Sequence, residues 1–314
     1  MRVLITGAGG FVGPYVAEAL RLREIETVLT GLRATTMASG QELFALDVTD
    51  AAAVRSAVDR WSPTHIIHLA GIASPADANI KASASWRVHL EGTLNVANSI
   101  LEQAPNCVLM YAGSALVYGM SAKPGLPLDE QSTLVPRDIY AASKAAADLA
   151  LGALAHQGLR GIRLRLFNHT GPGQSSKFAI PNFAMQIARI EAQRIPPVVY
   201  VRNVDVERDF LDVRDVASAY ALVVQRSDQI KSGTIMNISS GKATRLRAIL
   251  DELIDISRLN VRVVENSGSS TEPPQSLLGN PTFARDLLGW KPRYPMRDTL
   301  RDVLNFWRAS VVRE

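Results

Sequence analysis

Three side chains whose types and spacing suit proton transfer stand in two short runs of the sequence. Tyr140 and Lys144 lie four residues apart in an alanine-rich stretch, so both would project from one face of a helix. A tyrosine has a pKa near ~10, and a nearby ammonium favours the phenolate and eases proton transfer at neutral pH. Ser114 ends an apolar run, where its hydroxyl can hydrogen-bond the oxygen that Tyr140 protonates. The sequence therefore predicts a catalytic Ser–Tyr–Lys site.

Each of these side chains also has an ordinary structural interpretation. A tyrosine four residues before a lysine is common by chance, and on most helices it is a core tyrosine beside a solvated lysine. A serine at the end of a strand often caps a helix or fills a loop. The presence of Ser114 at a strand end favours chemistry, because open α/β sheets bind ligands at the carboxyl ends of their strands.

A glycine-rich turn follows the first apolar run at once, in the sequence TGAGGFVG at 6–13. Strand, tight turn and helix N-terminus together form an anion site, since unpaired N–H groups and the helix dipole face a pyrophosphate. A plain glycine-rich turn is the alternative. The spacing GxxGxxG is typical of short-chain reductases. The cofactor contacts predicted in this turn are Gly7, Gly10, Phe11, Val12 and Gly13.

The end of the second predicted strand decides which nicotinamide cofactor is preferred, because an acidic residue there would hold a ribose 2′-hydroxyl and repel a 2′-phosphate. That place holds Gly31, and Arg33 follows it. A guanidinium pairs with a 2′-phosphate through its charge and its fork geometry, so we expect NADP(H). Alternatively, Arg33 is a solvated loop residue and the protein does not distinguish the two cofactors.

Further cofactor contacts are expected where the third and fourth strands end. Asp47 and Val48 would lie against the adenine, and small residues after the fourth strand let the dinucleotide approach the backbone. The contacts predicted after the fourth strand are Leu69, Ala70, Gly71 and Ala73.

The elements that must position these residues alternate along the chain. Short β-branched runs at 3–6, 27–30, 43–46, 65–70, 107–112 and 161–167 alternate with helical stretches at 11–23, 51–60, 88–103 and 140–156. This pattern predicts an α/β fold, a Rossmann-type doubly wound parallel sheet with a smaller C-terminal α/β substrate domain. The first domain would span 1–167 plus about 213–240, with a helix at 213–225 and a strand at 234–237. The second would comprise 168–212 and 241–314, and the composition of 170–177 and 266–274 is loop-like.

Bulk composition excludes several classes of protein. The 314 residues carry a formal net charge of +4 and scattered basic residues, so no nucleic-acid partner is expected. No stretch approaches ~18 uncharged apolar residues, so no membrane span is expected. The start of the chain does not resemble a secretion signal. Cys107 is the only cysteine, which excludes an internal disulfide and fits a cytoplasmic location. No metal site is predicted.

The glycine turn, the run SALVYG at 114–119 and the Tyr140–Lys144 pair together resemble the extended short-chain dehydrogenase/reductases that modify nucleotide sugars. The likeness spans nearly the whole chain. Two further runs, RLFNHTGPGQ at 165–174 and RDFLDVRDV at 208–216, resemble the GDP-4-keto-6-deoxy-D-mannose reductases and, more distantly, the GDP-mannose 4,6-dehydratases.

The resemblance implies contacts for a nucleotide-sugar substrate. Asn168 and Arg208 would contact the diphosphate or the sugar, and His169 would lie against the cofactor. Ser74 and Lys177 are predicted as further substrate contacts, together with Ser114. The fork of Arg208 suits a diphosphate, although Arg208 and Asp209 could instead anchor the helix that returns to the sheet.

Departures from the family pattern narrow the reaction. A dehydratase carries an acidic pair after the active-site Ser or Thr, and here Ala115 and Leu116 stand there, so dehydration is not expected. His89 stands where the family usually has asparagine. This difference would change the water-mediated hydrogen bonds of the catalytic helix. The run Glu272-Pro273-Pro274 falls where relatives often carry an arginine, which weakens the GDP assignment. The closing run LGWKP at 288–292 matches the family, with its tryptophan expected to pack rather than react.

Three functions remain open from the sequence. The first is NADPH-dependent reduction of a GDP-4-keto-6-deoxy sugar, which gives GDP-D-rhamnose. The second is an NDP-sugar 4-epimerase with the same three catalytic residues, against which Gly31 and Arg33 argue. The third is a non-catalytic nucleotide or redox sensor, against which the intact Ser–Tyr–Lys set argues. Relatives commonly dimerise through the helix that carries the Tyr–Lys pair, so a homodimer is expected.

Overall fold

Short β-branched runs form parallel strands through the first half of the chain, as their composition predicts. The computed structural model describes residues 1–265 and 276–313. The strands among these residues are β1 (Arg2–Thr6), β2 (Glu26–Gly31), β3 (Thr35–Thr36), β4 (Glu42–Ala45), β5 (His65–His68), β6 (Val108–Ser114), β7 (Arg160–Leu166), β8 (Asn168–Thr170), β9 (Val198–Val201), β10 (Glu207–Asp212), β11 (Ile235–Ile238), β12 (Ala243–Arg245), β13 (Arg262–Glu265) and β14 (Ser276–Leu277).

Eight of these strands form one large sheet in the order β11-β7-β6-β5-β1-β2-β4-β3. Within the described residues every neighbouring pair is parallel except β3 with β4. Strand β2 lies on one side of β1 and β5 lies on the other, so a crevice opens between them outside the carboxyl ends. The predicted Rossmann-type doubly wound sheet is confirmed.

Alanine-rich and amphipathic stretches form the helices. They are α1 (Gly13–Arg21), α2 (Ala51–Trp61), α3 (Pro75–Ile80), α4 (Ala82–Trp86), α5 (Gly92–Gln103), α6 (Ile139–Ala155), α7 (Ala179–Glu191), α8 (Val213–Arg226), α9 (Leu246–Ser257), α10 (Thr282–Leu288) and α11 (Met296–Arg313). Across 1–265 and 276–313, none of them combines the length and the apolar character needed to cross a membrane.

Both faces of the large sheet are covered by helices. Leu20 of α1 and Val223 of α8 pack on one face, and Ile100 of α5 and Leu151 of α6 pack on the other. All four side chains are buried, as expected for a sheet covered on both faces.

A second core lies outside the large sheet. Helices α7, α9 and α11 pack together there through Ile187, Leu250 and Leu304. Two small sheets border this region: β9 pairs with β13, and β10 pairs with β8, β12 and β14. Helix α10 contacts α8 and β11, and its Leu288 belongs to the core of the large sheet. The exact division of the chain into two domains stays a prediction.

Several predicted boundaries shift. Helix α1 begins at Gly13 rather than at residue 11, because the preceding residues form the glycine turn. The stretch 88–103 is not one helix: Arg87–Glu91 forms a π turn in which the N–H of Gly92 donates to the carbonyl of Arg87, and α5 follows. This wider turn buries His89 completely. Strand β5 ends at His68 and β6 continues to Ser114. The predicted loop at 266–274 lies outside the described residues.

Candidate active site

The glycine turn after β1 is a cradle that side chains would fill. Gly7 has a φ of +69°, and a Cβ there would lie 2.6 Å from the backbone nitrogen of Ala70. A Cβ on Gly13 would lie 2.0 Å from the carbonyl oxygen of Ala8. Both positions therefore require glycine. Val12, the residue just before α1, supplies no side-chain cap, so the N-terminal N–H groups of α1 suit a pyrophosphate.

The end of β2 suits a phosphorylated ribose. A Cβ on Gly31 would lie only 3.0 Å from a methyl carbon of Leu43, so little room exists there for an acidic side chain. Arg33 is exposed, and no side-chain hydrogen bond or ion pair engages it within the described part of the chain. Its guanidinium is therefore available for a 2′-phosphate.

The predicted adenine contacts lie beyond the next strand. The carboxylate of Asp47 accepts hydrogen bonds from the backbone nitrogen and the hydroxyl of Thr49, at 2.9 and 2.8 Å. Val48 is buried, and its carbonyl accepts a hydrogen bond from the side-chain amide of Asn95. These contacts fix the turn that would face an adenine.

The loop after β5 approaches the catalytic helix. The backbone nitrogen of Leu69 donates to the carbonyl of Thr6, which places 69–71 beside the glycine turn. A Cβ on Gly71 would lie 3.2 Å from Nε2 of His89 and 3.4 Å from Nζ of Lys144. Ala73 is exposed. The small residues predicted here leave the backbone open to a dinucleotide.

The structure brings the three predicted catalytic side chains together. Ser114 is the last residue of β6, and Tyr140 and Lys144 lie on α6, one turn apart. The Ser114 hydroxyl lies close to the Tyr140 phenol and acts to lower the pKa of that phenol. It also accepts a hydrogen bond from the backbone nitrogen of Leu116, at 3.2 Å, and so caps the short 3₁₀ helix that follows. Capping and chemistry are therefore compatible roles for this serine.

The electrostatics of the pair differ from the expectation that Lys144 lowers the pKa of Tyr140. Burial raises the pKa of the Tyr140 phenol above its usual value, and the hydrogen bond with Ser114 acts in the opposite direction. Burial lowers the pKa of Lys144 to about 8, and its Nζ donates to the carbonyl of Ala112 at 2.9 Å. Tyr140 is thus a neutral O–H donor at neutral pH, which is the state that can protonate a substrate oxygen.

A buried ion cluster anchors the helix that carries this pair. Asp148 of α6 accepts two hydrogen bonds from the guanidinium of Arg165, each 3.0 Å, and a third from Arg163. The Asp148 side chain is completely buried, and that of Arg165 is 3% exposed. Because the geometry is bidentate and the charges are paired, the cluster fixes α6 against β7.

Arg208 lines a pocket beside the predicted catalytic residues. Leu116, Arg137, Asp138 and Ser276 line the same pocket. Ser276 is buried, and its hydroxyl has no hydrogen-bond partner within the described ranges. Two guanidinium groups and a buried hydroxyl suit an anionic, hydroxyl-bearing ligand. The carboxylate of Asp138 is already engaged as the cap of α6.

The neighbouring residue Asp209 has a structural role, although it anchors two loops rather than the helix that returns to the sheet. Its carboxylate accepts hydrogen bonds from the backbone nitrogens of Ser240, Gly241 and Gly279, at 2.7, 2.9 and 3.2 Å. Asp209 therefore ties β10 to two loops, whereas Arg208 faces the pocket.

The predicted residues after β7 meet the glycine turn. The ring of His169 stacks on Phe11, with centroids 6.1 Å apart and planes 5° apart, and its Nδ1 lies 3.0 Å from the carbonyl oxygen of Phe167. Asn168 pairs with Phe210 between β8 and β10. His169 thus lies against Phe11 of the glycine turn, and its contact with the cofactor stays a prediction.

Ser74 and Lys177 meet at a third residue. The Nζ of Lys177 lies 2.7 Å from a carboxylate oxygen of Asp77, whose backbone nitrogen donates to the Ser74 hydroxyl. In the described structure neither residue lines the pocket of Arg208. Their substrate contacts stay predictions.

Several polar residues at the site carry no sequence signal that we used. Arg137 and Ser276 reach the pocket from segments far apart in the chain. Ser143, between Tyr140 and Lys144, is buried and donates to the Tyr140 carbonyl.

Glu272 lies outside the described residues. Among the residues described, no three His, Cys, Asp or Glu side chains are grouped so as to hold a metal ion. Trp290 packs as expected, buried, with its indole N–H donating to the Asp215 carbonyl.

Comparisons with known proteins agree with this geometry. The chain is 31% identical over 317 residues to the GDP-6-deoxy-D-mannose reductase of Pseudomonas aeruginosa, which covers 100% of this chain and 99% of the relative. It is 25% identical over 326 residues to a UDP-glucose 4-epimerase of Azospirillum brasilense, covering 99% and 92%. The solved structure of RMD from Pseudomonas aeruginosa complexed with NADPH superposes with a TM-score of 0.86 at 29% identity, covering 98% of this chain and 99% of that one. The model of the NAD dependent epimerase/dehydratase family matches residues 3–239, and the chain belongs to that family.

Proposed function

We propose that the protein is an NADPH-dependent reductase of the 4-keto group of a nucleotide sugar like GDP-4-keto-6-deoxy-D-mannose, and that its product is GDP-D-rhamnose. The observation that carries this proposal is the meeting of Ser114, Tyr140 and Lys144 beside the glycine turn. The full-length similarity to a GDP-6-deoxy-D-mannose reductase supports the substrate class. NADP(H) is supported by Gly31 and Arg33, and by the NADPH bound to the RMD structure.

The residues divide the reaction between them. When bound in the cradle of Gly7 and Gly13, NADPH supplies the hydride for C4 of the sugar. The Ser114 hydroxyl hydrogen-bonds the C4 oxygen and orients it. Tyr140 donates its phenolic proton to that oxygen as the C4–O double bond becomes a single bond, and the phenolate regains a proton from solvent. The charged Lys144 stabilises the phenolate while it exists.

The pocket of Arg208 provides the site for the diphosphate. Arg137 and Arg208 both line it, and a guanidinium binds phosphate oxygens in a bidentate manner. Leu116 lines the same pocket where a dehydratase needs an acidic side chain, so the pocket favours hydride transfer without dehydration.

A 4-epimerase is the second candidate, because UDP-glucose 4-epimerases resemble the chain over nearly its whole length. An epimerase keeps its nicotinamide and oxidises and reduces the same carbon in turn. The absence of an acidic residue at Gly31 and the position of Arg33 favour the reductase.

A substrate panel tests the proposal. The purified protein and NADPH are mixed with GDP-, dTDP- and UDP-linked 4-keto-6-deoxy sugars, and the loss of NADPH absorbance is followed. We expect turnover with the GDP sugar. Conversion of 4-hydroxy sugar nucleotides without added cofactor would identify an epimerase instead.

A variant tests the diphosphate site separately. Arg208→Ala should raise KM for the sugar nucleotide and leave the Kd for NADPH nearly unchanged. Asp209→Asn is the matched comparison, because Asp209 anchors loops and should lower stability instead. A loss of folding in both variants, with no selective effect on KM, would favour a structural role for Arg208.

We further propose that the protein works in the cytoplasm as a homodimer. Leu149 is 60% exposed on α6, the helix through which relatives commonly dimerise. Cys107 is buried, which suits a reducing compartment. Light scattering coupled to gel filtration should give twice the mass of one chain, and Leu149→Lys should reduce it to one.

A further inference from the structure

A line of hydrogen bonds runs through the interior from β1 towards the catalytic helix. Oγ1 of Thr6, the residue before the glycine turn, lies 2.7 Å from Nδ1 of His68. Nε2 of His68 lies 3.1 Å from Oγ1 of Thr93, and Thr93 donates to the carbonyl of His89 at 2.6 Å. All four residues are buried. This line fixes the π turn that carries His89.

The ring of His89 continues the line to α6. The backbone nitrogen of Ile72 donates to Nε2 at 3.0 Å, and Nδ1 lies 2.8 Å from the hydroxyl oxygen of Ser143. The Ser143 hydroxyl donates to the carbonyl of Tyr140 at 3.0 Å. Because Nε2 accepts, the ring proton must sit on Nδ1, which then donates to Ser143. The imidazole is therefore neutral, in one tautomer, with both nitrogens in use.

Neighbouring groups hold the ring in this state. Burial lowers the pKa of His89 to about 3, and the charge of Lys144 acts in the same direction. The Tyr140 ring stands at 89° to the imidazole, with centroids 5.5 Å apart. Gly71 leaves room for the imidazole, since a Cβ there would lie 3.1 Å from Cδ2 of His89. The imidazole thus has one orientation and bonds to two separate segments.

We propose that His89 is a positioning residue that ties the loop after β5 at Ile72 to Ser143, and through Ser143 to the first turn of α6, so that the Tyr140 hydroxyl is held at its position for proton transfer. This inference rests on the proposed function, because it assigns the tether to the proton step of that reaction. The two links act in series, so cutting either one releases the turn.

Two substitutions cut the link between His89 and Ser143 from its two sides. In His89→Gln the amide oxygen can replace Nε2 as acceptor for Ile72, and the donor to Ser143 is lost. In Ser143→Ala the other half of the same link is lost. Each variant should lower kcat by roughly 10- to 100-fold, since small misplacements cost that much, and leave KM for the sugar within about twofold. The double variant His89→Gln with Ser143→Ala should lose no more kcat than the more damaging of the two single variants, because both substitutions cut the same link.

A buried pair elsewhere on the sheet provides the matched control. Nε2 of His65 lies 2.9 Å from the hydroxyl oxygen of Ser227, also in the interior, at the opposite end of β5. His65→Gln and Ser227→Ala should lower Tm and leave kcat unchanged. Equal losses of kcat in the two pairs would show general destabilisation and overturn the tether.

A measurement without turnover separates this inference from the proposed function. The phenol of Tyr140 can be titrated by tyrosinate absorbance, as the difference between a protein and its Tyr140→Phe form. Burial raises the Tyr140 pKa, so His89→Gln and Ser143→Ala should return that pKa towards the value of an exposed tyrosine, whereas His65→Gln should not. NADPH titration should give unchanged Kd values. An unchanged Tyr140 titration and unchanged kcat in both variants would overturn the tether even if the protein is a reductase. Altered titration with no reductase activity would keep the tether and reject the proposed function.

Discussion

Helices α1 and α6 both begin at the carboxyl edge of the large sheet, and their first turns are finished in opposite ways. No side chain caps α1, and a Cβ on Gly7, in the turn before it, or on Gly13, its first residue, would clash with backbone. At the start of α6, the Asp138 carboxylate accepts a hydrogen bond from the backbone nitrogen of Ala141. The side-chain oxygen of Asn79 accepts hydrogen bonds from the backbone nitrogens of Ile139 and Tyr140. An uncapped N-terminus can receive a phosphate, whereas a capped one holds its own side chains in place. The start of α1 is therefore open to an anion, and the start of α6 is fixed by Asp138 and Asn79.

The largest effect is expected where the anchor of α6 is broken. Asp148→Asn leaves Arg163 and Arg165 buried without their carboxylate, so the free energy of unfolding should fall by about 3–5 kcal/mol. Urea unfolding measures this. The exposed pair Arg247–Asp251 is the control, and Asp251→Asn should cost only about 0.3–0.5 kcal/mol. Similar costs in the two variants would show that burial of the cluster does not matter.

A change confined to the chemistry of α6 should follow next in size. Tyr140→Phe removes the proton donor with little change in shape, so kcat should fall by at least ~10²-fold while NADPH still binds. Tyr220→Phe is the control, because that buried hydroxyl has no partner among the described residues and its loss should leave kcat unchanged. Steady-state kinetics with a 4-keto sugar nucleotide measures kcat for both variants. Normal turnover by Tyr140→Phe would show that Tyr140 is not the proton donor.

At the α1 side, a change should affect binding alone. Arg33→Ala should weaken the binding of NADPH by roughly 1–3 kcal/mol and that of NADH much less, because a charge-assisted contact to the 2′-phosphate is lost. Fluorescence titration with both cofactors measures this, and the exposed Arg262, on β13, supplies a control substitution to Ala. An equal loss for the two cofactors would contradict the assignment.

Per unit of pH, the smallest effect concerns the buried histidine His65. Burial lowers the pKa of His65 from about 6.5 to about 4, so the folded state excludes a proton that the unfolded chain binds. The contribution of neutral His65 to the free energy of unfolding is therefore fully present above pH 6.5. It is lost as the pH falls from 6.5 towards 4, by about 1.4 kcal/mol per pH unit. His65→Gln should flatten the measured dependence of unfolding free energy on pH in this window. An unchanged slope would mean that His65 is charged in the fold.

The two helices also differ in how much of them the sequence predicts. The glycine turn follows from local spacing, because Gly7, Gly10 and Gly13 lie within seven residues of the chain. Their backbone, and not a distant side chain, forms the turn. The Tyr140–Lys144 pair follows from helical spacing, and Ser114 from the end of a strand. The Rossmann-type sheet follows from alternating strands and helices, and it is confirmed.

The surroundings of these residues do not follow from local patterns. Asp148 meets Arg163 and Arg165, Ile72 meets His89, and Arg137 meets the pocket of Arg208 only through tertiary packing. The π turn at Arg87–Glu91 was expected as ordinary helix, since its residues have no distinctive period. We expected Lys144 to lower the pKa of Tyr140, whereas burial, which helical spacing does not reveal, raises it.

In a reductase, hydride passes from the cofactor to the sugar and does not return. NADPH deuterated at the transferred position is incubated with GDP-4-keto-6-deoxy-D-mannose, and the product is examined by mass spectrometry and NMR. We expect one NADP⁺ to be released for each product formed, with one deuterium at C4. Interconversion of 4-hydroxy epimers, with no net NADPH oxidation and no deuterium in the product, would contradict it.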